Sequence, residues 1–364
     1  MNKENRIFNF SSGPGVLPMP VLERARDEML SLNGSGMSVM EISHRSDMFG
    51  QILSSAEQGI RDLLEVPNDY RVLFMQGGAS LQFSIVPMNF LPPHGAADYV
   101  VTGAWGEKAV IEARRCGDIK VIYDGKPSGY RTVPDQNQLG FSPGAAYIHY
   151  TSNETIDGVE FKYDLDGPGV PVICDASSNI LSKPFDMTRY SMIYAGAQKN
   201  MGPSGVTIVI IKDALLERVP ASQHSLLDYR NFAEHGSMPN TPNTWGVYLI
   251  GLVCDWLKDL GGVNGIARIN AEKAAILYDA IDSSDGFYVG HAERGARSLM
   301  NVTFRLPTDE LDERFCAETE AVGMSGLRGH RSVGGVRASI YNAFPKPGVE
   351  RLVEFMSEFA AENR

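Results

Sequence analysis

From residue 71 to residue 211 the sequence alternates two textures. Short runs rich in β-branched and aromatic residues, at 71–75, 98–101 and 119–123, are separated by segments at 81–90 and 106–116 whose apolar residues recur every three or four positions. Nothing in this stretch reads as a two-residue hairpin, so the strands are expected to run parallel, joined by helical crossovers. Further strands are predicted at 146–150, 170–174, 191–194 and 206–211. This order predicts an α/β fold: a doubly wound or mostly parallel sheet flanked by helices.

The flanks add a second unit. Helical periodicity precedes the strands at 20–30 and 46–64 and follows them at 244–260 and 265–281, with Gly261-Gly262 reading as a helix stop and a bend between lobes. Beyond it come a strand at 299–306, a helix at 309–322, a strand at 336–341 and a closing helix from Val349, the order of a smaller α+β domain. With 364 residues the chain can bury two cores, and the predicted division is a large domain at 16–258 and a small domain at 259–364. Residues 1–15 are expected to join the small domain as an aromatic arm, Phe8-Asn9-Phe10, ending in a Gly/Pro turn.

A formal charge of −11 argues against a general nucleic-acid surface, so any anionic substrate must meet a local cluster of basic residues. Cys116, Cys174, Cys254 and Cys316 stand far apart without a CxxC pair, which suits reduced, inert thiols rather than disulfides or zinc. The N-terminus has no apolar targeting core and no run is long enough to span a bilayer. A cytoplasmic protein with no membrane or nucleic-acid partner is expected.

Lys199 stands on a glycine-bounded turn, Gly196-Ala197-Gln198-Lys199-Asn200-Met201-Gly202, between two apolar runs. In a partly dry pocket such an amine loses its proton readily and can condense with an aldehyde to a Schiff base, and pyridoxal phosphate is the aldehyde this suggests. The turn alone would also suit a solvated lysine. Asp175 ends the apolar run 170–174, where a carboxylate could hold a pyridinium nitrogen protonated; alone it could be the N-cap of a short helix. The glycine turn Gly77-Gly78-Ala79-Ser80 could place free N–H groups around a phosphate, or simply connect strand to helix. Trp105 could stack on a pyridine ring or fill a core, and Asn153-Glu154-Thr155 could be a polar turn. All of these follow predicted strands, where open α/β sheets bind ligands.

Together with Phe8-Asn9-Phe10-Ser11-Ser12-Gly13-Pro14-Gly15, Ser43-His44-Arg45-Ser46 and the stretch Gly329-His330-Arg331-Ser332-Val333-Gly334-Gly335-Val336-Arg337, these motifs make the chain resemble the class V aminotransferases, within them the phosphoserine aminotransferases. The likeness runs nearly end to end. It implies a type I pyridoxal-phosphate fold, a homodimer with shared active sites, and amino transfer from L-glutamate to 3-phosphohydroxypyruvate in serine biosynthesis. Relatives can also serve pyridoxine biosynthesis through 4-phosphohydroxy-L-threonine. Carried over by position, Lys199 binds the cofactor and moves the proton, Asp175 binds the ring nitrogen, Trp105 stacks on the ring and Thr155 lies at its polar edge. Ala79, Ser80 and Gln198 match cofactor-phosphate positions, while Asn240 and Thr241 match residues reaching the phosphate in the neighbouring subunit. Ser12, His44, Arg45, His330, Arg331 and Arg337 match substrate-binding positions: Arg337 for the α-carboxylate, His330 and Arg331 for the distal anion. Some members carry Gly-Arg where this chain has Ala79-Ser80, so phosphate binding here must rest more on N–H groups and hydroxyls.

Three rivals share parts of this pattern. An aminotransferase for small keto acids would not need His330 and Arg331. A cysteine desulfurase-like lyase needs a reactive cysteine on a mobile loop, whereas Cys316 falls in a predicted helix. A non-catalytic cofactor carrier would have no use for the full lysine, aspartate and arginine set.

Overall fold

The computed structural model describes residues 6–331 and 333–364. The arm strand β1 (Phe8–Asn9) and helices α1 (Met19–Asp27) and α2 (Asp47–Leu64) come first. Next are β2 (Tyr70–Gln76), α3 (Ala79–Phe90), β3 (Ala96–Val101), α4 (Ala104–Ala113), β4 (Asp118–Asp124) and β5 (Ile148–Thr151). A small hairpin, β6 (Asn153–Glu154) with β7 (Val159–Glu160), leads to β8 (Val172–Asp175), β9 (Met192–Gly196) and β10 (Val206–Lys212). Helices α5 (Asp213–Leu216), α6 (Tyr229–Glu234), α7 (Thr244–Asp259) and α8 (Gly262–Asp282) follow. The chain closes with β11 (Val289–Gly290), β12 (Asn301–Arg305), α9 (Asp309–Ala321), β13 (Met324–Ser325), β14 (Val336–Ser339) and α10 (Lys346–Asn363).

Seven strands form the central sheet in the order β2-β10-β9-β8-β5-β3-β4. Four neighbouring pairs are parallel, as the alternation predicts, and β10 alone runs against both of its neighbours. The reversal has a simple cause: only residues 197–205 separate β9 from β10, fewer than the dozen or so that a parallel crossover needs. Lys199 therefore sits on a hairpin connection. Side chains alternate between the two faces: Val72, Phe74, Ile193, Ala195, Ile208 and Ile210 pack on one, and Leu73, Met75, Met192, Tyr194, Val209 and Ile211 on the other. Both faces are covered by helices, which is why these strands read as continuous apolar runs.

Helices α2 and α7 lie on the first face. Helix α2 starts where the Ser46 hydroxyl accepts from the Phe49 N–H at 3.3 Å, and Phe49, Leu53, Ala56, Ile60 and Leu63 give it a buried stripe. The two helices meet at Gly59, where an added Cβ would stand 2.6 Å from the Cβ of Cys254. Gly261, at φ +88°, turns the chain from α7 into α8 in a backbone region that other residues enter at a cost. Helix α8 then bridges two cores, with Ile266 in the core under the sheet and Ala274, Leu277 and Ile281 in a second core. That second core is filled by α9, α10, β12 and β14, and the N-terminal arm joins it: β1 pairs with β13, and the ring of Phe10 lies 4.3 Å from that of Phe344. Cys174, Cys254 and Cys316 are buried, whereas Cys116 is exposed with its thiol pushed up by burial and by Glu112.

The Gly59 contact yields a prediction. Gly59→Leu should destabilise the chain by about 1–3 kcal/mol through overpacking against α7, outweighing the ~1 kcal/mol that a helix gains on losing a glycine. Urea denaturation checks it, and an unchanged midpoint would show that α2 and α7 are not in rigid contact here.

Candidate active site

The carboxyl ends of β3, β5, β8 and β9 and the end of β2 open into one crevice, because parallel strands place their following loops at the same edge. Its walls include Gly78, Ala79, Ser80, Phe83, Trp105, Thr155, Asp175, Gln198 and Lys199, and it holds about 470 Å³ of empty volume counting its open mouth. Five separate loops thus converge on one space.

The Lys199 amine donates to the Thr155 hydroxyl at 2.6 Å and stands 5.7 Å from the centre of the Trp105 ring. Burial pushes it down to about 8, with the Arg337 charge helping and Asp175 and Glu154 opposing. Asp175, buried at the end of β8, accepts from the Ser177 hydroxyl at 2.5 Å and from the Ser177 N–H at 2.9 Å. Burial still raises it above the ordinary carboxylate range, against Ser177 and the Lys199 charge.

Trp105 occupies the first turn of α4, and two buried acids hold that turn. Glu154 accepts from the N–H of Trp105 at 3.0 Å and of Gly106 at 2.8 Å, while Asp157 accepts from the N–H of Ala104 at 3.0 Å. The carboxylates thus satisfy the free donors of the helix end. Burial and the nearby Asp157 raise Glu154 to about 8, and burial raises Asp157 as well. Only a residue without a side chain fits at Gly103, where a Cβ would stand 2.5 Å from both acids. The Lys108 amine lies 3.9 Å above the Trp105 ring.

Helix α3 starts at Ala79 after Gly77, at φ +91°, and Gly78, with no side chain capping its first N–H groups. Such an end attracts a phosphate. Among the described residues the buried Trp105 Nε1 and Gln198 Oε1 also lack partners. An aldehyde-reactive amine, a deep carboxylate, a flat aromatic wall and an uncapped helix end together fit pyridoxal phosphate.

Arg337, on β14, reaches the same region. It donates to the Ser12 hydroxyl at 2.8 Å, and its buried Nε has no partner among the described residues. Burial lowers its pKa. His330 is held below the usual imidazole range by burial and by the charges of Arg337, Lys108 and Arg331. The remaining candidates stand apart from Lys199. Arg331 is exposed and lines a different cleft with Arg305, Cys316 and Arg328. His44 and Arg45 precede α2, and among the described residues no hydrogen bond or ion pair engages the Arg45 side chain. Asn240 and Thr241 hang on Gln76 at the end of β2: Thr241 accepts at its carbonyl from Gln76 Nε2 at 2.5 Å, and Asn240 donates to Gln76 Oε1 at 3.4 Å.

Sequence reasoning missed the roles of Glu154, Asp157 and Ser177. An Asp followed two residues on by Ser is a local turn signal that could have found Ser177. No local signal ties Glu154 to a helix end about fifty residues earlier.

The model of the aminotransferase class-V family matches residues 7–352, and the chain belongs to that family. Within it, the chain is 52% identical over 354 residues to a phosphoserine aminotransferase of Laribacter hongkongensis, covering 97% of this chain and 98% of that protein. It is 50% identical over 356 residues to the phosphoserine aminotransferase of Geobacillus kaustophilus, covering 97% and 98%. Among solved structures it superposes on the phosphoserine aminotransferase of Bacillus circulans subsp. alkalophilus with a TM-score of 0.97, 45% identity and 99% of each chain covered. The pyridoxal-phosphate-bound phosphoserine aminotransferase of Trichomonas vaginalis gives 0.91 at 38% identity, covering 97% of this chain and all of that one.

With its amine near 8, half of Lys199 is neutral at pH 8, against roughly one in three hundred for a lysine at the ordinary value. Reductive alkylation of the cofactor-free protein with a limiting small aldehyde should therefore mark Lys199 first, with half-maximal rate near pH 8. Peptide mass spectrometry checks it, and a Lys199 profile matching surface lysines would contradict the assigned environment.

Proposed function

We propose that this chain catalyses pyridoxal-phosphate-dependent transfer of an amino group from L-glutamate to 3-phosphohydroxypyruvate, giving 2-oxoglutarate and O-phospho-L-serine on the route to serine. The observation that carries it is the convergence in one crevice of the Lys199 amine, Asp175, Trp105 and the uncapped start of α3. Relatives about half identical over nearly the whole chain bear the matching name.

Bound there, the cofactor would supply a reactive aldehyde and a protonated ring that draws electrons from the substrate α-carbon. Lys199 Nζ is the group that takes and returns the proton at that carbon, for which an amine near 8 is well matched. Asp175 holds the proton on the ring nitrogen. Trp105 covers the ring and excludes water, and Thr155 binds at its polar edge. Ala79, Ser80 and Gln198 hold the phosphate through backbone N–H groups, hydroxyl and amide. Arg337 pairs with the α-carboxylate, a planar guanidinium offering two parallel hydrogen bonds.

The working species in this reading is a homodimer. Asn240 and Thr241 serve the cofactor phosphate of the second copy. Arg45 is exposed, unengaged among the described residues and not among those lining the crevice, so in this reading it meets substrate bound at the second copy's site. With His44, His330 and Arg331 it receives the distal carboxylate or phosphate, while Ser12 orients Arg337. The lobes are residues 16–258 and residues 259–364 with the N-terminal 1–15, consistent with Phe10 packing in the second core. No helix among the described residues is long and apolar enough to cross a membrane, and a cytoplasmic location fits the unpaired cysteines.

A panel of keto acids with glutamate as donor, reading 2-oxoglutarate release, tests the reaction, and Lys199→Ala should abolish turnover. Arg331→Ala should lower kcat/KM for 3-phosphohydroxypyruvate by roughly two orders of magnitude, since losing a donor to a buried charge costs about 2–5 kcal/mol. Pyruvate should suffer less, whereas Arg337→Ala should depress both keto acids alike. An unchanged ratio between the two keto acids in Arg331→Ala would replace this reading by an aminotransferase without phosphate preference.

Shared sites have their own test. A hybrid dimer of one Lys199→Ala subunit and one subunit substituted at Asn240 and Thr241 should regain activity, because one of its two sites carries every native group. No rescue in a purified hybrid would mean that each subunit completes its own site.

A further inference from the structure

Lys273, on α8, is fully buried, among the described residues no carboxylate pairs with it, and burial pushes its amine down to about 7. Its amine instead faces four main-chain carbonyls, one more than its three N–H groups can serve singly: Ile340 at 3.1 Å, Tyr341 at 2.7 Å, Asn342 at 3.4 Å and Phe344 at 3.1 Å. A compact cation ringed by carbonyl oxygens is how a bare alkali ion is held when its hydration shell is replaced. The ringed segment directly follows β14, the strand that carries Arg337.

Residues 340–344 also touch the arm and the lysine loop beside the crevice. The Tyr341 hydroxyl donates to the Ser12 carbonyl at 2.6 Å, and the Ser12 hydroxyl accepts from Arg337. The Asn342 N–H donates to Asn200 Oδ1 at 3.0 Å, next to Lys199, and Asn342 Nδ2 donates to the Leu181 carbonyl at 2.8 Å. A Cβ on Gly15 would strike the Tyr341 ring at 2.9 Å and the Lys199 carbonyl at 3.2 Å, so arm, ring and lysine loop are stacked without slack.

We propose that Lys273 is a positioning residue whose ammonium form, held in a carbonyl cage, fixes the 340–344 segment and through Tyr341 and Ser12 sets Arg337 for the substrate carboxylate. Four carbonyls turned onto one point repel one another unless a cation stands between them. Without it the segment relaxes, Tyr341 loses its register on Ser12, and the guanidinium is no longer held. The effect falls on substrate binding rather than on the proton transfer at Lys199. This rests on the reading of Arg337 above, but the cage itself does not.

The test uses the holoenzyme of Lys273→Ala, which leaves the amine's place empty, compared with wild type in sodium, potassium, ammonium and tetramethylammonium chloride at equal ionic strength. The cage is read by thermal melting: potassium and ammonium should raise the Tm of the variant but not of wild type, and sodium and tetramethylammonium should not. The relay is read by kinetics: KM for glutamate should rise roughly tenfold or more with kcat changed far less, and potassium should reverse it. A variant with wild-type KM, one indifferent to which cation is present, or one that folds in none of the four salts overturns the proposal. Tyr341→Phe leaves the cage intact and should reproduce the KM rise without potassium sensitivity; a wild-type KM there overturns the relay. Potassium-dependent melting with no transamination at all would retain the cage and reject the function instead.

Discussion

Withdrawing several charges from water into one crevice is the constraint to which the rest of this structure answers. Lys199, Asp175, Glu154, Asp157 and Arg337 all lose solvation there, and burial is the largest influence on each, lowering the cations and raising the acids. The attraction between Lys199 and Asp175 opposes burial at both groups and prevails at neither. What makes the arrangement tolerable is a ring of neutral partners: Ser177 for Asp175, Thr155 for Lys199, Ser12 for Arg337, and helix-end N–H groups for Glu154 and Asp157. Those partners fix geometry as well as charge. An amine left near 8 by this balance is available for chemistry at neutral pH, which a solvated lysine is not.

The partners come from distant parts of the chain, so the packing of the lobes decides whether they meet. Ser12 and Arg337 are separated by 325 positions. They meet because β1 pairs with β13 and Phe10 is buried beside Phe344, which anchors the arm on the second core and lays Ser12 and Gly15 over the lysine loop. Glu154 and Trp105 meet because β3 and β5 are adjacent in the sheet, not in sequence. The helices contribute rigidity at the edges: α8, spanning both cores, ties the position of β14 to that of the sheet.

The alternation of strands and helices was legible because the inner strands β8, β9 and β10 are buried on both faces and so carry near-continuous apolar runs, and the aspartate and lysine loops follow such runs. Lys199 and Asp175 could be singled out for the same reason. The antiparallel sense of β10 was within reach of loop length alone, since residues 197–205 cannot make a crossover. Other features had no local signature. The hairpin of β6 and β7 uses strands of two residues, too short for any periodicity. The acids under Trp105 look like an ordinary polar turn until β3 and β5 are placed side by side. Lys273 reads as one more charged residue on a helix, and only the fold reveals that its amine faces four carbonyls.

Charge accounting in the crevice bears on how it could select a phosphorylated keto acid. Its cations are the half-buried Lys199 and the buried Arg337, and its buried acids are Asp175, Glu154 and Asp157, of which Glu154 is held near 8. Two cations against two to three acids leave no surplus of positive charge for a phosphate that carries up to two negative charges. In the proposed reaction, selectivity rests on cations outside the deep crevice: Lys108 over the Trp105 ring and the exposed guanidinium groups proposed for the distal anion, Arg45 and Arg331. Placing these charges at the rim has a physical advantage. A solvated arginine need not be neutralised while the site is empty, and it becomes desolvated only when the substrate anion is there to pair with it. In the proposed reaction the deep part of the crevice then stays near neutrality for proton transfer, and the discrimination between substrates falls to groups that are buried only in the bound state.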